Sequence, residues 1–172
     1  MTRQLNKYEY KRKCLITRNE IATKTIDEKL LDLAAIFETG NFKVLDFNQG
    51  GFDKQYKPNL EHEDVIENLE LRIQKSKTFY PYIILDPIRI SNSNALILMD
   101  TIEEFYENRT TEYQHFLIIE HYQPNYLKIK PQSGDVACLI TNQEEKEKLY
   151  DIYLKEFTDF TAFIKQKINA KD

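Results

Sequence analysis

A chain of 172 residues with 41% apolar and 30% charged side chains has the size of one domain and enough hydrocarbon to close a core. Four glycines and five prolines exclude a collagen-like or low-complexity chain, and no apolar run approaches the length of a membrane span or a secretory leader. The net charge of −4 is uneven: residues 1–20 carry six Lys/Arg against two acids, about plus four, and the remainder is about minus eight. A body of that sign repels phosphate backbones, so general nucleic-acid binding is not expected, and the natural complement is a basic protein.

In chain order, Lys7 to Arg18 alternates Tyr8, Tyr10, Arg12, Cys14 and Ile16 with charged residues, the period of a strand. Thr25-Ile26-Asp27-Glu28 has capping-box form and opens a helix with Ile26, Leu30, Leu33, Ala34 and Phe37 at helical spacing, closed by Gly40. Phe42 to Phe47 reads as a strand running into a turn at Asn48-Gln49-Gly50-Gly51. A helix is expected around Val65, Ile66, Leu69 and Ile73, with Glu61, Glu63, Asp64, Glu67 and Glu70 on its outer side.

Tyr80 to Leu85 is a continuous apolar run ended by Asp86-Pro87, a buried strand, and Ser91 to Asn108 continues Leu98, Ile102, Phe105 and Tyr106 at helical period. Tyr113–Tyr122, Asn125–Lys130 and Asp135–Thr141, divided by short turns, predict a three-strand antiparallel meander. Thr141-Asn142-Gln143-Glu144 then caps a long helix whose apolar stripe takes Leu149, Ile152, Tyr153, Phe157, Phe160, Phe163 and Ile164. The expected fold is α+β: one domain over 1–172, an antiparallel sheet with helices packed against it.

Few residues carry a chemistry. Cys14 and Cys138 are too few for a disulfide framework or a thiolate metal site, and their apolar, strand-like contexts predict reduced core thiols. His115 and His121, six apart on one strand, would stand about 20 Å from each other, too far to share an ion, and His62 lies among helix acids. No metal or cofactor is expected. Gly50-Gly51 lacks the Lys-Ser/Thr and following helix of a phosphate loop, Ser91 and Ser93 lack a nucleophile-elbow context, and neither thiol sits at a helix N-terminus.

Two constellations remain. Asp86 and Glu120 end apolar strands, and with His121 and Lys128 or Lys130 they could surround a divalent ion in a nuclease-like hydrolase. Asp100, Glu103, Glu104, Glu107 and Glu112 form an acidic stretch carrying Tyr106 and Tyr113, the composition of a surface that meets a basic partner, with Glu61 to Glu70 as a second acidic cluster. The leading expectation is a non-catalytic, cytoplasmic protein-binding module of the immunity-protein type, an acidic inhibitor that occludes the basic active site of a toxin or nuclease. The alternatives are the metal-dependent hydrolase and an adaptor subunit assembled through the final helix.

Overall fold

The computed structural model describes residues 7–15, 28–40, 42–48, 80–86, 92–122 and 126–169. The expected helix over Val65 to Ile73, its acidic cluster from Glu61 to Glu70, His62, the Gly50-Gly51 turn, the Thr25–Asp27 cap and the Gln123-Pro124 turn lie outside them. The described elements are α1 (residues 7–15), α2 (Glu28–Thr39), β1 (Lys43–Asn48), β2 (Tyr82–Asp86), α3 (Asn92–Tyr106), a 3-10 turn (Tyr113–His115), β3 (Leu117–Tyr122), β4 (Tyr126–Pro131), α4 (Gly134–Ala137) and α5 (Gln143–Asn169). An antiparallel sheet and its helices make the α+β fold that the sequence predicts.

The first element is a helix and not the expected strand. Tyr8 and Arg12 belong to both the alternating and the helical pattern, but only the helical one continues to Leu15, which is 2% exposed while Tyr10 is 64% exposed. That face is fixed to α2: the Tyr8 hydroxyl donates to Asp32 Oδ1 at 2.8 Å, Arg12 Nε donates to the same oxygen at 3.3 Å, and Lys11 pairs with Glu38 at 3.5 Å. Burial first, and then the Asp32 carboxylate, push the Tyr8 hydroxyl up to about 12. Cys14 consequently sits exposed on a helix, which corrects its assignment to the core.

α2 is apolar on almost every side, with Leu30, Leu31, Leu33, Ala34, Ala35, Ile36 and Phe37 all buried, so it must lie inside the molecule. It ends where expected, the Gly40 amide donating to the Ile36 carbonyl at 3.0 Å. The sheet runs in the order β1-β2-β4-β3, every pair antiparallel. Between Val44 and Asp46 the register slips, so that Val44 stands opposite Leu85 and Phe47 opposite Ile83. That bulge lets Val44 and Phe47, three positions apart, face the same core. Val44, Phe47, Ile83, Leu85, Leu117, Leu127 and Ile129 form one cluster with α2, with Leu98, Ile102 and Phe105 of α3, and with Phe157, Phe160 and Ile164 of α5.

The predicted third meander strand over Asp135–Thr141 is instead α4 and a turn. Its burial is not alternating: Ala137 is 3% exposed, Val136 70% and Leu139 48%. Gly134 starts the helix beneath the Tyr80 ring, where a Cβ would come within 2.9 Å of Tyr80 Cγ, a close approach that only glycine permits without displacement. Cys138 follows this helix half-buried, its thiol donating to the Gly134 carbonyl at 3.3 Å, so it too is not a strand residue. The Tyr113–Tyr122 strand shortens to Leu117–Tyr122, which puts His115 in the 3-10 turn and away from the strand of His121.

α5 is capped one residue later than the sequence suggests: Asn142 Oδ1 accepts the Glu145 amide at 3.1 Å. Tyr153, Phe157, Phe160 and Ile164 are buried as expected, but Ile152 is 36% exposed and leaves the stripe. Tyr153 joins Tyr80 and Ala137 in a second, smaller cluster, against which Tyr82, Cys138, Ile140, Leu149 and Tyr150 pack.

Candidate functional site

α3 presents the acidic stretch. Leu98, Ile102, Phe105 and Tyr106 are buried, and Asp100, Glu103, Glu104 and Glu107 are exposed on the opposite arc. Rotation of about 100° per residue sets Ile97 and Met99 on the two borders of that arc, and they are 59% and 49% exposed. Both stand in the apolar run Ala95 to Met99, and a helical projection extended back to residue 97 separates them from the buried side. Glu104 pairs with Lys167 of α5, whereas Asp100, Glu103 and Glu107 enter no salt bridge among the described residues. Glu112 and Tyr113 are also exposed, Tyr113 at 69%.

Tyr106 does not belong to this surface. Its ring is stacked on Phe116 with centroids 3.9 Å apart, its hydroxyl donates to Glu156 Oε2 at 3.0 Å, and it accepts the Leu117 amide at 2.8 Å. Burial, with Glu156 beside it, raises this hydroxyl well above its ordinary value against the opposing pull of the Leu117 amide, so it stays a donor. Glu156 also accepts from Arg109 Nη2 at 2.7 Å and from the Thr111 hydroxyl at 3.0 Å, and Arg109 reaches Asp159 at 3.1 Å while lying over the Phe105 ring. Nothing in the sequence announces this network, which fastens the C-terminal end of α3 to α5 and holds the acidic arc in a fixed orientation.

The second constellation lies on the sheet face opposite the apolar cluster. Ile84 and Glu120 stand on either side of Lys128, and Ile118 stands opposite Lys130, so alternation brings Asp86, Glu120, Lys128 and Lys130 to one face. His121, opposite Leu127, points the other way and does not join them. Both lysines are buried, Lys128 at 7% and Lys130 at 3% exposed, with Asp86 at 9%. Lys130 pairs with Glu120 at 2.8 Å and with Asp135. The Tyr80 hydroxyl donates to Asp135 Oδ1 at 2.6 Å and accepts from Lys128 Nζ at 3.1 Å, and that ammonium lies 5.1 and 4.7 Å from the Tyr80 and Tyr82 ring centroids. Tyr82 donates in turn to Asp46 Oδ2 at 3.0 Å.

Burial opposes charge on Lys130 and Asp135 alike, but their mutual bond outweighs it. With Glu120 also on the lysine and the Tyr80 hydroxyl on the carboxylate, Lys130 is raised and Asp135 lowered from their ordinary values. Burial, then Asp135, drive the Tyr80 hydroxyl upward. The arrangement therefore locks opposite charges together across β3, β4 and α4. Among the described residues no three His, Cys, Asp or Glu side chains are grouped so as to hold a metal ion. The sequence does not single out Tyr80, Tyr82, Asp46 or Asp135: Tyr80 meets Lys128 and Asp135 from 48 and 55 residues away and Tyr82 meets Asp46 from 36, while Asp135, only five residues from Lys130, is brought to it by the turn into α4.

No helix among the described residues is long and apolar enough to cross a membrane. No protein-family model matches the chain, and no curated protein or solved structure matches it.

Proposed function

We propose that this chain is a protein-binding module whose acidic α3 face occludes a basic site on a partner, in the manner of an immunity-type inhibitor of a toxin or nuclease. The observation that carries the reading is the exposed arc of Asp100, Glu103 and Glu107, bordered by the exposed side chains of Ile97 and Met99. Carboxylates that no cation among the described residues pairs with keep their field for steering a partner, and flanking apolar side chains give a contact that can exclude water once docked. Anchoring of α3 through Arg109, Glu156 and Tyr106 means that little ordering is required on binding.

The test is a triple charge reversal, Asp100→Lys, Glu103→Lys and Glu107→Lys, measured against a purified basic partner first obtained by affinity capture. The association rate and its salt dependence should fall while dissociation changes little; Ile97→Ala and Met99→Ala should chiefly speed dissociation. An unchanged association rate and salt slope in the triple variant would dismiss the α3 face as the binding surface.

A further inference from the structure

The two outer strands of the sheet are protected unequally. On β1 the Val44 amide donates to Glu38 Oε1 of α2 at 2.9 Å, and the bulge after Val44 breaks the regular edge. On β3 the first outward amide, that of Leu117, is closed by the Tyr106 hydroxyl at 2.8 Å, while the neighbouring Phe116 carbonyl faces β4 and accepts the Gln132 amide at 2.8 Å. Amide direction alternates along an antiparallel strand, so the N–H and C=O groups of Ile119 and His121 point away from β4 as well. No hydrogen bond closes them among the described residues, no bulge interrupts the β3–β4 register, and His121 is exposed.

We infer that the open half of β3, centred on Ile119 to His121, takes an extended basic peptide segment as an added strand. The inference rests on the proposed function only for the sign of the partner's charge. A second copy of this chain fits badly. A two-fold pairing that keeps the apolar faces aligned sets residues of equal parity opposite each other: centring it on Ile119 engages Leu117, whose amide is taken, and centring it on Glu120 apposes two carboxylates. The surroundings favour a cationic strand. The Glu120 side chain, although bonded to Lys130, is 42% exposed, and the Tyr106–Leu117 bond holds β3 beside α3, which carries the exposed Glu103 and is followed by the exposed Glu107.

The experiment is amide hydrogen exchange on the full chain with three synthetic probes: an end-blocked peptide alternating lysine and valine, its glutamate-valine counterpart, and the lysine-valine peptide with alternate amides methylated. With the first probe at about nine times its dissociation constant, exchange at Ile119 and His121 should slow about tenfold, and neither other probe should match this. His121→Pro, which deletes an outward donor without touching a bond to β4, should abolish the protection at Ile119. Unchanged exchange under saturating lysine-valine peptide overturns the inference, as does equal protection by the glutamate peptide. Protection that grows with protein concentration alone would also overturn it, in favour of a second copy on the edge. The α3 charge reversal decides the proposed function separately, since these two amides report the edge whether or not α3 steers a partner.

Discussion

The two faces of the four-stranded sheet are closed by different forces. On one, Val44, Phe47, Ile83, Leu85, Leu127 and Ile129 meet α2 and α5 through contacts without direction, and hydrocarbon of similar volume could replace them. On the other, Lys128 and Lys130 are as buried as the core, yet each is held by a particular oxygen or ring: Tyr80 and Tyr82 around the first, Glu120 and Asp135 on the second. An apolar face fails by losing volume, whereas an ionic face fails by losing one member of a pair, because the remaining buried charge has no solvent to turn to.

The largest effect should come from the apolar face. Phe157 and Phe160 are fully buried, so replacing either with alanine should cost about 3 to 5 kcal/mol in denaturant unfolding. Melting unchanged in both variants would show that α5 does not seal the core.

The ionic face should be asymmetric. Glu120→Gln with Asp135→Asn removes both carboxylates from Lys130, whose side chain is 4% exposed, and should cost about 3 kcal/mol. Lys130→Met leaves two carboxylates that are 42% and 56% exposed and can take water, and should change stability by less than about 1 kcal/mol. Equal losses in the two variants would mean that this face is ordinary surface.

Tyr106→Phe tests whether directional bonds also matter within the apolar body. It removes the acceptor of the Leu117 amide and a donor to Glu156, both buried, and should cost about 1 to 3 kcal/mol, whereas Tyr113→Phe at an exposed site should cost almost nothing. Thermal melting of the two variants side by side is sufficient.

The smallest effect is in acid. Because the folded Asp135 carboxyl lies below its ordinary value, its contribution is present above the unfolded value of about 4 and is lost as pH falls through the lower folded value. Asp32 and Asp159 are lowered as well, Asp32 by the Tyr8, Lys165 and Arg12 donors and Asp159 by Lys155 and Arg109, in each case against burial. The stability gap between the protein and Asp135→Asn should be seen at neutral pH and close below about pH 4; a gap that persists at lower pH would locate the effect of Asp135 in packing and not charge.

What could be read from the sequence was whatever depends on neighbours along the chain. α2, α3 and α5 were visible because their buried residues recur at helical spacing, and Gly40 marked the end of α2. Val136 to Ile140 resisted reading because a continuous apolar run suits a strand as well as a helix; the helix depends on Gly134 under Tyr80 and on Asp135 bonded to Tyr80, 55 residues away. Lys128 and Lys130 alternate with apolar residues as a solvent-facing row would, yet both are buried beneath partners from other elements. At the candidate surface the acids were legible from composition, but Phe105 and Tyr106 could both be buried only because the Tyr106 hydroxyl finds Glu156, fifty residues on.

The length of α5 has a consequence for how the molecule is made. Its 27 residues, about 40 Å of helix, place Tyr153 in the small cluster and Phe157, Phe160 and Ile164 in the large one. A nascent chain that has reached only Tyr150 therefore lacks the side chains with which α5 closes both clusters, although its sheet strands and α2 have already been synthesised. Until translation passes Ile164, the part of the core that Phe157, Phe160 and Ile164 cover stays open to chaperones, so the large cluster is completed only near the end of synthesis.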